Sequence, residues 1–513
     1  MFASLSVRSI QDRGRVSPVL LTILGLTLVK WIFAASLPIA GDESLYWMYS
    51  KHLAAGYVDH PPMNPMMIRI GTTLFGDTPL GVRFMAMVVG LPTTWAVWRA
   101  ANLLFKDDAL AASAALLFSL TTVMSVGSLA ATSDPMVVMT SAFLLYFLAK
   151  LNDTQRGEWW LAVGVAFGLG MFSKYTTAFF AVSILAWLVI VPVNRKWFLT
   201  PWPWIAGVIA TAIFSPVFLW NANHHWASFD YQSHRLVIEH LSLRYVFELI
   251  GSQLVLATPP IFLLGVIGLF AGWRGRPQEG SARVLIAAMV APIITYFLWH
   301  ALHGRVQGNW PEPIYPAFAI AAALAAHRLI AETGLRGAVV RWSKNLAAPV
   351  GLTVAAAVFL QAAFGVVPIG PADPTARVLG IGWKPLAAQI EDVRKRANIP
   401  AYALMDYTTM GWLSFYLPSN APIIQLNERI HWIDAPQPSA ELLQGPLLFV
   451  CKGSCPYLED LKRNFAVVEK LNTFTREGHG GAINTYSLYR LERPARPILD
   501  PVYPAMNIGD RTI

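Results

Sequence analysis

The sequence predicts a mostly helical, polytopic membrane protein of about eleven transmembrane helices, followed by a C-terminal α/β domain. Three observations carry this expectation. Of 513 residues, 55% are hydrophobic and only 13% charged, with 19 Trp and a mean hydropathy of +0.47, whereas an ordinary soluble domain is about a quarter charged. Apolar runs near the roughly 20 residues that a span requires recur from Pro18 to Val367 and then stop. Lys and Arg gather in short clusters between those runs, as cytoplasmic loops do. The net charge of +9 is therefore read as a topology signal, and nucleic acid is not implied.

Taken in order, residues 1–17 read as a cytoplasmic tail. Arg8, Arg13 and Arg15 precede the first apolar run, and "ASLPIAGDE" after it offers no small-residue cleavage site. The spans are Pro18 to Ala40, Pro79 to Phe105, Ala109 to Leu129, Pro135 to Leu151, Trp159 to Phe172 and Thr176 to Val193. They continue with Trp202 to Asn221, Tyr245 to Trp273, Val284 to Leu302, Pro313 to Ile330 and Leu346 to Pro368. With the N-terminus inside, the basic loops at Lys106, Lys150 to Arg156, Asn194 to Lys196, Arg274 to Arg283 and Arg328 to Lys344 share the cytoplasmic face. The other face then receives the first loop (41–78), Ala130 to Asp134, Ser173 to Tyr175, Asn223 to Arg244 and His303 to Glu312. Those loops are rich in His, Asp, Asn and Trp.

Residues 18–368 thus form a transmembrane domain, and 369–513 change to soluble composition. Short apolar runs such as "PIIQLN", "LLFVCKG" and "INTYSLYRL" predict strands, and "KPLAAQIEDVRKRAN" predicts a helix. An odd span count places this domain outside. Its Cys451 and Cys455 can pair in an oxidising compartment, and no histidine pair accompanies them at zinc-site spacing.

The first loop opens with "GDESLYWMYSKHLAAGYVDHPP". Glu43 to Ala55 predict an interfacial helix with Leu45, Met48, Tyr49, His52 and Leu53 on one face and Tyr46, Trp47 and Lys51 at its edges. Asp42 stands at its start, where a carboxylate suits the helix dipole and where an N-cap is the bland reading. Further charges on the same face argue for more than capping. Asp59 lies beside His60, and Pro61-Pro62 fix an extended exit. Asp134 in "TSDPM" stands at the external end of the third span, where an acid next to apolar sequence is costly unless paired or functional. Lys174 and Tyr175 follow the fifth span in "FSKYTTAFF". His303, Arg305, Asn309, Trp310 and Glu312 gather in "HGRVQGNWPEPIYP". Acids and bases converging on one membrane face describe a site that holds an anion and handles a proton or developing positive charge. Local readings compete: Lys174 could snorkel, Trp310 could anchor at the interface, and His224 and His225 could sit in a solvated loop.

"GDESLYW", "YVDHPP", "SDP", "SKYT" and "QGNWPEPIYP" resemble bacterial membrane glycosyltransferases of the protein O-mannosyltransferase superfamily, the family 39-type group with the class C glycosyltransferase fold. Within it the chain looks most like lipid A aminoarabinose and rhizobial galacturonosyl transferases. The resemblance covers roughly Pro18 to Ile330. It implies a polyprenyl-phosphate sugar donor, inverting transfer on the periplasmic face of the inner membrane, and a lipid or glycolipid acceptor such as lipid A. It implies catalytic duty for Asp42 and supports Asp134 as a second acid. The tyrosine-acid-base-proline element of aminoarabinose transferases falls on Tyr57, Asp59, His60 and Pro61, with Asp in place of Glu and His in place of Lys.

Such a donor needs no nucleotide, and the chain has no GxGxxG. Lys174 and Arg305 suit the phosphate, with His303 or His60 adding a hydrogen bond. Asp42 or Asp59 suits a general base for a hydroxyl acceptor. Glu43, Tyr46, Tyr57, Tyr175, Asn309 and Trp310 complete the expected substrate-binding set. No cofactor is required, although Asp42, Asp59 and Asp134 are oxygen donors that a divalent metal accepts. A protein acceptor uses the same chemistry. A lipid or sugar transporter is the rival class, but it keeps ionisable groups near the bilayer centre and often shows inverted repeats. The spans are nearly free of charge at their centres, and the two halves show no repeat.

Overall fold

The computed structural model describes residues 17–233, 241–271 and 279–503. The arginines of the N-terminal tail and parts of the Asn223 to Arg244 and Arg274 to Arg283 loops lie outside the described residues. Among the described residues, six helices are long and apolar enough to cross a membrane, or nine if each of three bent pairs is one span. Two expected spans are short helices, Trp159–Ser173 and Tyr315–Arg328, of 15 and 14 residues. The count of eleven is therefore not reproduced by length and composition alone.

The bends have local causes. The expected span Tyr245 to Trp273 is two helices, Leu243–Ala257 and Pro259–Ala271, bent by 107°. Between them Thr258 has φ of +67°, and Pro259 and Pro260 supply no N–H to continue the ladder. Pro192 follows the end of the Phe179–Ile190 helix, and the chain turns by 114° there. Thr121 breaks the third span by accepting the Met124 N–H, and the two pieces meet at 65°. Lys30, buried within the first span, donates to Met124 O at 2.8 Å and Ser128 Oγ at 3.0 Å. The spans are thus not wholly free of internal charge, because this ammonium satisfies backbone left open by the break.

The Tyr315–Arg328 helix is the pillar of the bundle, with every residue from Tyr315 to Ala326 buried. Its "AIAAALAA" stretch lets neighbours approach from all sides, as small residues do between membrane helices. The Pro259–Ala271 and Asp108–Leu120 helices pack on it. At the first contact a Cβ added to Gly268 would stand 1.9 Å from Ala321 O.

Beyond the Gly334–Phe364 helix the chain forms a five-stranded sheet. Its strands are β1 (Ala401–Leu404), β2 (Ile423–Gln425), β3 (Leu447–Lys452), β4 (Phe465–Gly478) and β5 (Gly481–Pro494). The order is β2-β1-β3-β5-β4. β1 is parallel to β2 and β3, while β5 is antiparallel to β3 and β4. The Trp383–Arg396 helix precedes β1, and the Tyr407–Tyr416 helix links β1 to β2. Cys451 and Cys455 are joined as a disulfide.

This region docks on the first loop. The first-loop helix runs Gly41–Lys51 and stops short of Ala55, leaving His52 and Leu53 exposed. It is no surface-lying interfacial helix, since Leu45, Tyr46, Trp47 and Tyr49 are all buried. The Tyr407–Tyr416 helix covers its outer side. The approach needs glycine on both: a Cβ on Gly41 would meet Thr408 Cγ2 at 2.6 Å, and one on Gly411 would meet Ser44 Oγ at 2.2 Å. Trp412 Nε1 donates to Ile39 O at 3.0 Å, and Tyr416 Oη accepts from Ile39 N at 3.1 Å.

Gly268→Ala is expected to lower stability by about 1–3 kcal/mol, because a methyl group must displace the backbone of the central helix. A fall in the thermal midpoint of the detergent-solubilised protein checks this, against Gly207→Ala, where a Cβ meets nothing within 4 Å.

Candidate active site

The site is built around Glu43. Its carboxylate is fully buried and paired with Arg83, with Nε donating to Oε1 at 2.8 Å and Nη2 to Oε2 at 2.6 Å. It also accepts from Ala40 N at 2.6 Å and Ala131 N at 2.8 Å. The bond to Ala40 N caps the first-loop helix, so Glu43 performs the capping expected of Asp42. Arg83 spends its other donors on the carbonyls of Ala34, Leu37 and Pro38. The structure thus corrects the substrate-binding expectation for Glu43: a carboxylate with both oxygens committed inside protein ties the first span, the first loop and the Ala131 segment together.

Ala131 is fixed on both sides, because Asn64 Nδ2 donates to its carbonyl at 2.9 Å. Three residues on, Asp134 opens the Ser133–Thr154 helix. It is buried and forms an ion pair with Lys174, which is also buried. Asn309 Nδ2 donates to its other oxygen at 2.8 Å, and Thr132 Oγ1 donates there at 3.2 Å. Ser173 Oγ donates to Ser133 O at 3.1 Å, which sets the backbone beside Lys174. Gln253 holds the loop that carries Asn309, donating to Gly308 O at 2.8 Å and accepting from Tyr315 at 3.1 Å. The structure therefore brings Asp134, Lys174 and Asn309 into one cluster. Glu312 is buried close enough to feel both Asp134 and Lys174, and His60 acts electrostatically on Asp134.

Asp42 lies on the first turn of its helix, open to solvent yet hemmed in by protein. Loss of hydration raises its carboxyl above the usual range, and Asp59, Asp134 and Glu43 add to that rise. A hydrogen bond from Tyr407 at 3.3 Å opposes it. Asp59 is buried and accepts from the Tyr49 hydroxyl at 3.3 Å, while Gln232 Nε2 donates to its carbonyl at 2.7 Å. Tyr46 is buried with its ring 5.9 Å from that of His60.

Other expected site residues are placed elsewhere. The Tyr57 hydroxyl donates to the carbonyls of Tyr49 and His52 and accepts from Ala54 N, so it braces the loop. Arg305 is exposed and pairs with Glu248 at 3.0 Å, which Arg244 also engages. His303 sits against the Trp299 carbonyl at 2.9 Å, and the Trp310 ring packs near Phe297 and His300. Arg305, His303 and Trp310 thus make these contacts away from the Asp134 cluster. Tyr175 bonds to Ser228 at 2.7 Å, so the Ala227–Ser233 helix is strapped to the site. His224 is no free loop residue: it stacks on Trp220, whose Nε1 donates to Asp434 at 3.1 Å.

Sequence reasoning passed over Arg83, Tyr407 and His431. "VRFM" put a lone arginine inside an apolar span, which is a signal of a buried partner. Tyr407 and His431 carry no local signal, since their closeness to the first loop exists only in the fold. Among the described residues no group of three or more His, Cys, Asp or Glu side chains is placed to hold a metal ion. Asp42, Asp59 and Asp134 do not form such a group.

Residues 59–220 match the model of the dolichyl-phosphate-mannose-protein mannosyltransferase family. The chain is 28% identical over 326 residues to the undecaprenyl phosphate-alpha-4-amino-4-deoxy-L-arabinose arabinosyl transferase of Edwardsiella ictaluri, covering 61% of this chain and 57% of that protein. It is 24% identical over 321 residues to the lipid A galacturonosyltransferase RgtD of Rhizobium johnstonii, covering 59% and 64%. The chain thus spans about 57% to 64% of the length of these curated relatives. The crystal structure of ArnT from Cupriavidus metallidurans bound to undecaprenyl phosphate superposes with a TM-score of 0.59 at 16% identity, over 92% of this chain and 97% of that one. The fold is therefore that of ArnT, and the resemblance carried by the first-loop motifs is matched by these comparisons.

Removing one partner of the Glu43–Arg83 pair leaves a buried charge unpaired. Glu43→Gln or Arg83→Met is expected to cost about 3–5 kcal/mol. The check is a lowered thermal midpoint in detergent, with the double variant costing less than the sum of the two single ones.

Proposed function

We propose that this chain is a bacterial inner-membrane glycosyltransferase. It takes a sugar from a polyprenyl-phosphate donor and passes it, with inversion, to lipid A, lipopolysaccharide or another envelope glycolipid. The observation that carries this reading is the pairing of two unlike acids at one end of the bundle: Asp134 neutralised by a buried Lys174, and Asp42 open to solvent with a raised pKa. The names of the two relatives and the ligand of the fold neighbour point to the same substrate classes.

In this mechanism Lys174 keeps one of its three N–H donors on Asp134 and offers the others to the donor phosphate. Asp134, itself held by Asn309, keeps the ammonium in place. As the anomeric bond breaks, negative charge grows on the leaving phosphate and positive charge on the sugar, so a fixed cation favours the transition state over the ground state. Asp42 takes the proton of a hydroxyl acceptor. A carboxylate raised towards working pH is a better base than an ordinary one, provided it remains ionised. With a phosphate acceptor no proton moves, and Asp42 orients the nucleophile. Arg305 has a lesser part in this scheme than the sequence suggests, because it is exposed and pairs with Glu248.

The topology we adopt has eleven crossings: the six long helices, the three bent pairs and the short helices Trp159–Ser173 and Tyr315–Arg328. It divides the chain into a cytoplasmic tail (1–17), a transmembrane transferase domain (18–368) and a periplasmic domain (369–513). Positive charge in the loops of the opposite face supports this orientation.

The test uses the full chain in nanodiscs with lipid A and, separately, undecaprenyl-phosphate aminoarabinose or a polyprenyl-phosphate galacturonate. Mass spectrometry of the lipid A should show one pentosamine or one uronate increment. No increment with any donor, on lipid A or on added protein, overturns the reading. With a hydroxyl acceptor, Asp42→Asn should lower turnover by about a hundred- to ten-thousandfold. Lys174→Met should abolish binding of undecaprenyl phosphate, while Arg305→Ala should change it by no more than about fivefold, as expected of an exposed charge.

A further inference from the structure

One side chain of the C-terminal region, Tyr407, reaches a first-loop acid directly and another, His431, reaches one through Tyr49, and the scheme above uses neither. Tyr407, the first residue of the Tyr407–Tyr416 helix, is set by Asp406, which caps that helix through Thr408 N and Thr409 N. Its hydroxyl donates to Asp42 Oδ1 at 3.3 Å. His431 lies in the Arg429–Trp432 turn, with Nδ1 2.9 Å from the Tyr49 hydroxyl. When that hydroxyl gives its proton to Asp59, His431 meets it as the Nδ1–H tautomer. The rings of Tyr407 and Tyr231 stand 6.1 and 6.4 Å from the His431 ring. Three distant stretches of chain, the first loop, the Ala227–Ser233 helix and the C-terminal region, thus meet at one imidazole.

We infer that Tyr407 and His431 are positioning residues for Asp42 and Asp59, so that the C-terminal region completes the acceptor side of the reaction centre. The inference rests on the transferase reading. Tyr407 engages one oxygen of Asp42, which fixes the rotation of the carboxylate and leaves its second oxygen for the acceptor. The same bond favours the charged form. It therefore works against Glu43 on the same helix, Asp59 in the following turn and Asp134 on the Ser133–Thr154 helix, all of which raise the Asp42 pKa. His431 acts one step further away. By donating to Tyr49 it aims that hydroxyl at Asp59, and Trp432 beside it packs its ring 6.0 Å from the Tyr49 ring.

A wall that merely packs would leave the titration of Asp42 alone. Tyr407→Phe keeps the ring and removes the donor. The acid limb of the kcat profile for a hydroxyl acceptor should move up by about one pH unit, so that the rate on that limb falls about tenfold, with undecaprenyl phosphate binding unchanged. His431→Ala should lower kcat by at least about tenfold, and His431→Gln, whose amide can still donate to Tyr49, should restore most of it. An unmoved profile in Tyr407→Phe, or an intact kcat in His431→Ala, overturns the inference and leaves the transferase reading standing. If the wild type transfers no sugar, that reading fails by itself. The inference is then decided on the same full-length protein by carbodiimide labelling, read by mass spectrometry on the peptide that ends at Lys51. A higher labelling midpoint for Asp42 in Tyr407→Phe than in wild type sustains the placement of Tyr407, and equal midpoints overturn it.

Discussion

The buried pair of Glu43 and Arg83 is the constraint on which the site depends. Two full charges withdrawn from water are tolerable only when every donor and acceptor around them is engaged. Here that demand recruits the peptide groups of Ala34, Leu37, Pro38, Ala40 and Ala131. The end of the first span, the start of the first-loop helix and the approach to Asp134 are thereby fixed relative to one another. Asp42 is the next residue to Glu43, and Asp134 lies three residues beyond Ala131. The position of each is therefore inherited from a charge pair that itself touches no solvent.

Around that frame the two acids are given different environments. Asp134 is buried, with an ammonium and an amide already on it. Asp42 is accessible and, among the described residues, has one weak side-chain donor, Tyr407. Identical side chains thus acquire unlike chemistry: one holds a cation in place, and the other binds its proton more tightly than an ordinary carboxylate does.

Much of this was legible in the residues. Hydropathy located the long helices, charge placed next to apolar sequence singled out Asp42, Asp59, Asp134 and Lys174, and the polar cluster in "HGRVQGNWPEPIYP" singled out Asn309. These signals are local, and local signals survive without a fold. What failed was the assignment of partners. Glu43 and Asp42 are neighbours in sequence with the same functional group, and only packing decides which is sealed inside. Arg305 fits a phosphate as well as Lys174 does on paper, but Glu248 of the Leu243–Ala257 helix already pairs with it. The break at Thr258 is written in its two following prolines, yet the apolar run from Tyr245 to Trp273 is long enough for one crossing with residues to spare and so reads as a single span. The contributions of Tyr407 and His431 could not be read at all, since they arise from contacts between residues more than 360 positions apart.

That separation also governs how the protein is made. Ribosomes add about 5–20 residues per second, so the first loop emerges on the order of tens of seconds before Tyr407 exists to meet it. During that interval the aromatic face of the Gly41–Lys51 helix and the glycine seam at Gly41 have no cover, and Asp42 lacks its donor. Closure of the first loop is thus a late event of biogenesis. A chain stopped before the Tyr407–Tyr416 helix would insert its spans yet leave bare the side of Trp47 that packs on Phe415, a natural target for quality-control proteases that read exposed apolar surface.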